Sequence, residues 1–281
     1  MELRQISENS YLLKTSNPLI TSSMLLHYLG NSEAVIIDTG CCAAPELFEE
    51  LDKRGWHIAA ALCTHLHWDH IANNEEIFNR DGIIYAHENE NRLEHIVHNK
   101  IEYPISFIKE GDIAIDGKTF TLVHTPGHTP GHCAVITPDE MCFLGDAVMG
   151  AEDLSMAKLP YMENVQEALV SMVKLKDLPC RGYAAGHNGY ISPEDIDALI
   201  DANIKKEIDI YDSIRKLISC PIKVAEFPEK FMRSLNITNS VILAGEIMRD
   251  NAVRRLNELI RAGEIETDGV NVFPAGSSKE G

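Results

Sequence analysis

The chain has 281 residues, of which 44% are hydrophobic and 24% are charged. These values are ordinary for a globular protein and suit one large domain, or a domain of about 190 residues with a smaller one. The formal net charge is −18, so the overall field repels phosphate backbones and disfavours nucleic acid as a partner. No apolar run approaches the roughly 20 residues of a membrane span, and the first residues contain no signal-peptide pattern, so we expect a cytoplasmic protein without membrane contact.

Short apolar runs that predict β-strands recur through the first two thirds of the chain. They lie at 34–38, 58–64, 82–86, 120–125, 133–137, 142–145 and 183–186. Three stretches between them predict helices, at 45–55, 87–99 and 162–178. Strands mixed with helices indicate an α/β layered domain whose loops carry a functional site at the strand ends.

The pattern changes after Ser192, which predicts a helix cap with Pro193 at the first helical position. Long helices are predicted at 196–218 and 241–263, followed by a hairpin around Asp268 and Gly269. We therefore divide the chain into a first domain of residues 1–192 and a helical, winged-helix-like domain of residues 193–281. The second domain is expected to cap the edge of the first or to form a homodimer contact.

The seven cysteines form no CxxC pair, which indicates reduced thiols rather than a disulfide framework. Cys41 and Cys42 are adjacent and cannot pair easily without strain. We expect packed or surface thiols at both positions.

Three histidines and one aspartate lie within six positions directly after the strand predicted at 58–64. Histidine and carboxylate are common ligands of Zn²⁺ and related divalent metals. His65 and His67 are two residues apart, so on an extended segment they point the same way and suit one ion. Asp69 and His70 follow at a turn that can direct them to a second ion. The cluster therefore predicts two metal ions.

Two ions require more than four ligands, and three candidates follow other predicted strands. His128 lies in a Gly/Pro loop, and Asp146 and His187 each come directly after a predicted strand. A shared carboxylate such as Asp146 can bridge two ions about 3.5–4 Å apart.

Five motifs resemble, in the same order, those of the metallo-β-lactamase-fold hydrolases. They are DTG at 38–40, THLHWDH at 64–70, TPGHTPGH at 125–132, GD at 145–146 and GH at 186–187. This resemblance implies a four-layer αββα sandwich with the site at one edge. It also implies one ion held by His65, His67 and His128, a second held by Asp69, His70 and His187, and Asp146 as the bridge.

The resemblance implies a dinuclear metal-dependent hydrolase in which a metal-activated hydroxide attacks the substrate. Asp69 would orient that hydroxide and carry a proton to the leaving group. Asp38 and His132 are expected to brace the ligands by hydrogen bonds rather than to bind metal. Zinc is the expected metal, with iron and manganese as alternatives, because His and Asp ligands serve all three.

The metal ligands alone do not identify the substrate. Classical glyoxalase II holds glutathione with basic and tyrosine residues after the bridging aspartate, whereas here acidic residues come first and Lys158 is the only basic one. We therefore expect a small ester, thioester or lactone as the small-molecule substrate, with a glutathione thioester less favoured.

Two alternatives stay open. One is a metal-dependent ribonuclease or phosphodiesterase with a winged-helix tail. Residues 193–281 carry 12 Lys or Arg against 16 Asp or Glu, which disfavours it, although Arg249, Arg254 and Arg255 could form a local basic patch. The other alternative is a mononuclear iron persulfide dioxygenase, which uses a subset of the same ligands.

Overall fold

In the computed structural model, which describes residues 2–92, 101–187, 189–237 and 242–276, the first part of the chain forms a seven-stranded sheet. Its strands follow one another in chain order: β1 (Arg4–Gln5), β2 (Ser10–Ser16), β3 (Thr21–Gly30), β4 (Glu33–Ile37), β5 (His57–Leu62), β6 (Ile83–His87) and β7 (Ser106–Ile108). The strands from β1 to β4 pair antiparallel, and those from β4 to β7 pair parallel. Helix α1 (Pro45–Arg54) connects β4 to β5, and helix α2 (Asn74–Asn79) connects β5 to β6.

A second sheet of six strands follows. It contains β8 (Gly111–Ile115), β9 (Lys118–His124), β10 (Cys133–Ile136), β11 (Met141–Phe143), β12 (Gly182–Ala185) and β13 (Gly189–Ile191), in chain order across the sheet. Only β11 and β12 pair parallel, because helices α3 (Ala151–Met156) and α4 (Val165–Lys176) lie between them in the chain.

The remaining residues form three helices and a small sheet. In chain order these are α5 (Ile196–Leu217), β14 (Ile222–Lys223), α6 (Phe227–Ser234), α7 (Ile242–Arg261), β15 (Ile265–Thr267) and β16 (Asn271–Pro274), with β16 between β14 and β15. This order agrees with a winged-helix-like arrangement, which stays a prediction, as does the division at residue 192. The start of α5 differs from expectation, because Ser192 donates a hydrogen bond to the Asp195 carboxylate at 2.8 Å and the helix begins only at Ile196.

Three groups of buried side chains define the layers. Apolar residues of both sheets pack against each other in the middle, for example Leu62 of β5 with Phe120 of β9 and Phe143 of β11. Leu47 of α1 belongs to the cluster on the outer face of the first sheet, and α4, α5 and α7 contribute to the cluster on the outer face of the second. The arrangement is therefore helix, sheet, sheet, helix, and the predicted αββα sandwich is confirmed.

All seven strands predicted from apolar runs are present. The central strands β4 and β5 are buried along most of their length, as expected for parallel strands covered on both faces.

The helix predicted at 45–55 is α1, and Gly55 ends it in the left-handed conformation at φ 65°. The helix predicted at 87–99 is wrong over its first six residues, because His87 is the last residue of β6 and Glu88–Arg92 form a 3₁₀ helix. The rest of that stretch lies outside the described residues. Among the described helices, none is long and apolar enough to cross a membrane.

Candidate metal centre and active site

The predicted metal ligands all lie on loops that follow strands of the two sheets. His65 follows β5, His128 follows β9, Asp146 follows β11 and His187 follows β12. The sandwich brings these strand ends to one edge, so residues that are more than a hundred positions apart in the chain meet there.

The first triad consists of His65, His67 and His128, whose ligand atoms all lie within 4.8 Å of one another. The Nδ1 atom of His67 is 2.9 Å from Nε2 of His65 and 2.9 Å from Nε2 of His128. Burial lowers the pKa of all three imidazoles, which keeps them neutral. Three neutral nitrogens that converge on one point are suited to bind a divalent metal.

The second triad consists of Asp69, His70 and His187, again with ligand atoms within 4.8 Å of one another. The Oδ2 atom of Asp69 is 3.8 Å from Nε2 of His70 and 3.7 Å from Nε2 of His187. Burial alone would lower the pKa of His187, but the Asp146 carboxylate outweighs it and raises the pKa to about 9. Burial would likewise lower the pKa of His70, but the Asp146 and Asp38 carboxylates raise it, so the second triad favours a positive charge, which a bound metal ion would supply in place of protons.

Asp146 lies between the two triads and contacts both. Its Oδ2 atom is 3.4 Å from Nε2 of His128, in the first triad, and 3.4 Å from Nε2 of His187, in the second. Its Oδ1 atom is 3.4 Å from Nε2 of His70. Burial works to raise the pKa of this carboxyl, but the imidazoles around it hold the pKa well below its usual range, so it is ionised.

Hydrogen bonds on the far side of the rings orient four of the five histidines. The Nδ1 atom of each meets an oxygen at 2.7–3.1 Å: His65 meets Thr64 Oγ1, His70 meets the Asp38 carboxylate, His128 meets the Tyr161 carbonyl and His187 meets the Thr21 carbonyl. Each Nδ1–H therefore donates outward and directs Nε2 into the cluster, which is the usual arrangement around metal-binding histidines.

Two buried atoms in the cluster have no hydrogen-bond partner within the described structure, namely Nε2 of His70 and Oδ1 of Asp146. Burying a polar atom without a hydrogen-bond partner destabilises a protein. Both atoms are therefore positioned to bind a group that the described chain does not supply. The ligand types, their orientation and these two atoms fit a pair of divalent metal ions.

Asp38, predicted to orient the ligands, accepts a hydrogen bond from one histidine of the second triad. It adopts the left-handed conformation at φ 54° directly after β4. Its carboxylate accepts hydrogen bonds from the Thr64 backbone N–H at 2.7 Å, from Thr64 Oγ1 at 2.8 Å and from His70 Nδ1 at 2.7 Å. Although Asp38 also lies near His65 and His70, both of its oxygens are occupied by these bonds, so we assign it no metal.

His132 contacts the backbone of Asp146. Its Nδ1 atom pairs with Thr125 Oγ1 at 2.9 Å, and its Nε2 atom accepts a hydrogen bond from the Asp146 backbone N–H at 3.0 Å. Burial lowers the pKa of His132 to about 3, which keeps Nε2 free to accept. Glycine is required at 145 because a Cβ atom there would lie 2.6 Å from His132 Nε2, with φ at 52°.

Sequence reasoning missed Glu90, which joins the two loops of the first triad. Its side chain is 1% exposed, and its carboxylate accepts hydrogen bonds from the backbone of Leu66 at 2.9 Å, from Thr129 Oγ1 at 2.7 Å and from the backbone of Gly131 at 2.9 Å. Burial raises its pKa to about 7. The sequence does not indicate this role, because the pattern of the polar run HENEN does not distinguish a buried glutamate from an exposed one.

The basic patch that a nuclease would need is not formed by the three arginines. Arg255 is fully buried and bonded to Glu207, whereas Arg249 pairs with Glu229 and Arg254 contacts a backbone carbonyl. Arg255 therefore takes no part in the local basic patch that was considered as a possibility at these positions. Lys158 is also engaged, since its Nζ atom donates to the carbonyl of Asn236 at 2.6 Å.

The cysteines after the DTG motif do not face the metal cluster. The Sγ atom of Cys41 contacts the backbone carbonyls of Thr15 and Ile20, and Cys42 contacts the carbonyl of Ser16. No cysteine belongs to a group of potential metal ligands among the described residues.

Known proteins are similar to this chain over more than half of its length. A Hydroxyacylglutathione hydrolase of Cereibacter sphaeroides is 31% identical over 178 residues, which cover 59% of this chain and 64% of that relative. The chain thus matches less than two thirds of the relative's length. The Beta-lactamase-like protein 2 homolog of Caenorhabditis elegans is 26% identical over 222 residues, which cover 75% of this chain and 67% of that protein.

A solved structure extends the likeness to nearly the whole chain. A metallo-beta-lactamase family protein of Thermus thermophilus matches with a TM-score of 0.75 and 18% identity, over 96% of this chain and 100% of that one. At this identity the match shows the fold alone. The family model of the Metallo-beta-lactamase superfamily matches residues 16–187, the part of the chain that contains every predicted metal ligand. The chain therefore belongs to the Metallo-beta-lactamase superfamily.

Proposed function

We propose that this protein is a dinuclear metal-dependent hydrolase that binds two divalent ions, with zinc preferred, and cleaves a small ester, thioester or lactone. One observation carries the proposal: two triads of potential ligand atoms lie on either side of the Asp146 carboxylate, which contacts both. A single ion would leave one of these triads without a partner.

Two ions in these positions would lower the pKa of a bound water toward neutrality and polarise the carbonyl group of the substrate. The chain's own contribution is to hold the imidazole nitrogens of both triads and one ionised carboxylate in place before substrate arrives. Asp69 has the position of a proton carrier, because its Oδ2 atom faces both histidines of the second triad while 8% of the residue remains exposed. It would take a proton from the attacking water and deliver it to the leaving group.

Carbonyl substrates are favoured over phosphodiesters by the charge of the chain and by its relatives. The net charge of −18 repels a polyanion, and Arg255 lies buried against Glu207. The relative from Cereibacter sphaeroides is named for hydrolysis of hydroxyacylglutathione, which is a thioester. Lys158 is the only basic residue in the segment directly after Asp146, and its ammonium group donates to the carbonyl of Asn236, so we keep the wider class of small acyl thioesters, esters and lactones.

The test is a substrate panel with protein that has been stripped of metal and reloaded with zinc, manganese or iron. The panel contains S-lactoylglutathione, an acyl N-acetylcysteamine thioester, a homoserine lactone and bis(p-nitrophenyl) phosphate. We expect zinc to restore hydrolysis of at least one carbonyl substrate, and Asp146→Asn to abolish it. Turnover of the phosphodiester alone would contradict the proposal. Oxygen consumption by the iron-loaded protein with a persulfide would contradict it as well and would favour the dioxygenase.

A further inference from the structure

The segment Leu159–Glu163, which we call the wall segment, forms one side of the metal centre. The ring of Tyr161 lies edge-on to His67 and to His128, with ring centroids 5.5 and 5.4 Å apart. The backbone carbonyl of Tyr161 accepts the hydrogen bond from His128 Nδ1 at 3.1 Å. The position of the wall segment therefore determines how the His128 ring is held.

The C-terminal helix α7 holds the wall segment from the opposite side. The carbonyl of Pro160 accepts hydrogen bonds from Asn251 Nδ2 at 2.7 Å and from an Arg255 guanidinium N–H at 2.8 Å. The Asn251 side chain also accepts from the backbone N–H of Met162 at 3.4 Å. Two side chains of α7 thus fix the residues on either side of Tyr161.

Arg255 is held in turn by Glu207 on α5, with N···O distances of 2.9–3.1 Å. Arg255 is 0% exposed and Glu207 is 1% exposed. Removing two charges from water is costly, and apolar residues of similar volume often serve stability equally well. We explain this buried pair by orientation rather than by stability. Glu207 orients the Arg255 guanidinium so that its other N–H groups donate to Pro160 and Asn251.

We propose that Arg255 and Glu207 are positioning residues that act on the first metal triad through Pro160, Tyr161 and His128. In this role the C-terminal helices complete the wall of the metal centre and are not a separate binding module. The inference rests on the metal-binding part of the proposed function, but it requires no particular substrate.

The test compares full-length variants in a zinc titration against a chromophoric chelator. Arg255→Lys keeps a charge for Glu207 but lacks the forked donors. The double variant Arg255→Met with Glu207→Met removes both charges, so that neither is left unpaired in the interior. Arg249→Met is the matched control, because Arg249 lies on the same helix but is exposed and pairs with Glu229 on α6.

We expect the two test variants to lose about ten- to hundredfold in zinc affinity at one of the two binding steps, the range found when residues that orient a metal ligand are removed. The other step and the control variant should keep wild-type affinity. A long-range ¹H–¹⁵N spectrum of the metal-free protein reports the tautomer of His128. It should show one tautomer in the wild type, with the proton on Nδ1, and a mixture of both tautomers in the double variant.

Cooperatively folded variants with wild-type affinity at both steps would overturn the inference. An equal loss at both steps would overturn it too, because it would indicate general loosening of the fold. If the wild type binds zinc in two steps but hydrolyses no carbonyl substrate, the proposed reaction fails while this inference stands.

Discussion

Replacing Asp38 with asparagine should weaken metal binding, although Asp38 binds no metal in this account. Its carboxylate accepts three hydrogen bonds, from the backbone and hydroxyl of Thr64 and from Nδ1 of His70, at 2.7–2.8 Å. Asparagine has one carbonyl oxygen and one NH₂ group. If the oxygen serves the Thr64 backbone, the NH₂ group faces His70 Nδ1–H, and two donors oppose each other.

The conflict can be relieved if His70 moves its proton to Nε2, which removes the lone pair that faces the metal. If His70 keeps its tautomer, a buried donor is left unsatisfied at a cost of about 1–3 kcal/mol. A free energy of this size corresponds to about 5–150-fold in an affinity. We therefore expect Asp38→Asn to lose affinity within that range, mainly at the step assigned to the triad of Asp69, His70 and His187.

The assay is a zinc titration against a chromophoric chelator, paired with urea unfolding of the metal-free protein. Asp52→Asn is the matched control, since Asp52 is exposed and pairs with Arg80 at 3.0 Å on the surface, where an ion pair contributes little. Two zinc ions bound to Asp38→Asn with wild-type affinity would refute the assignment of Asp38 as an orienting residue.

Three further predictions concern other positions. Glu90→Gln removes one acceptor from the junction of the two loops of the first triad, so zinc affinity should fall at that triad; a loss confined to the other triad would argue against this role. Asp69→Asn should keep the fold and lower kcat by about 10²–10⁴-fold, and turnover at the wild-type rate would exclude Asp69 as the proton carrier. Burial works to raise the pKa of Asp139, but hydrogen bonds from His27 and neighbouring hydroxyls hold the pKa well below its usual range. The folded-state pKa is depressed, so Asp139 stabilises the fold above its unfolded pKa of about 3.9 and this contribution is lost as the pH falls further. The free energy of unfolding should therefore decline less steeply between about pH 5 and pH 3 in Asp139→Asn, and a profile parallel to the wild type would contradict the shift.

The sequence predicted the part of the fold that depends on local pattern. Apolar runs such as 34–38 and 58–64 became β4 and β5, because parallel strands buried on both faces need continuous hydrophobic residues. The dense cluster from His65 to His70 could be interpreted without a structure, since so many potential ligands rarely occur together for another reason. The later candidate ligands could be proposed because each follows a predicted strand and completes a known series of motifs.

Features that depend on tertiary contacts could not be predicted in this way. Glu90 is a single polar residue in a polar run, and only folding shows that it is buried between two loops. The role of Arg255 was misread because a basic residue on an amphipathic helix looks the same whether it faces solvent or a buried glutamate. The predicted helix at 196–218 matches α5, but its cap was misplaced, because the Ser192 hydroxyl bonds to Asp195 and the helix begins at Ile196.

The most direct test of the dinuclear hydrolase is elemental analysis of the protein, purified without added metal and without a metal-chelating column. We expect about two equivalents of zinc or manganese per chain. About one equivalent of iron, with little other metal, would contradict it and would favour the mononuclear dioxygenase.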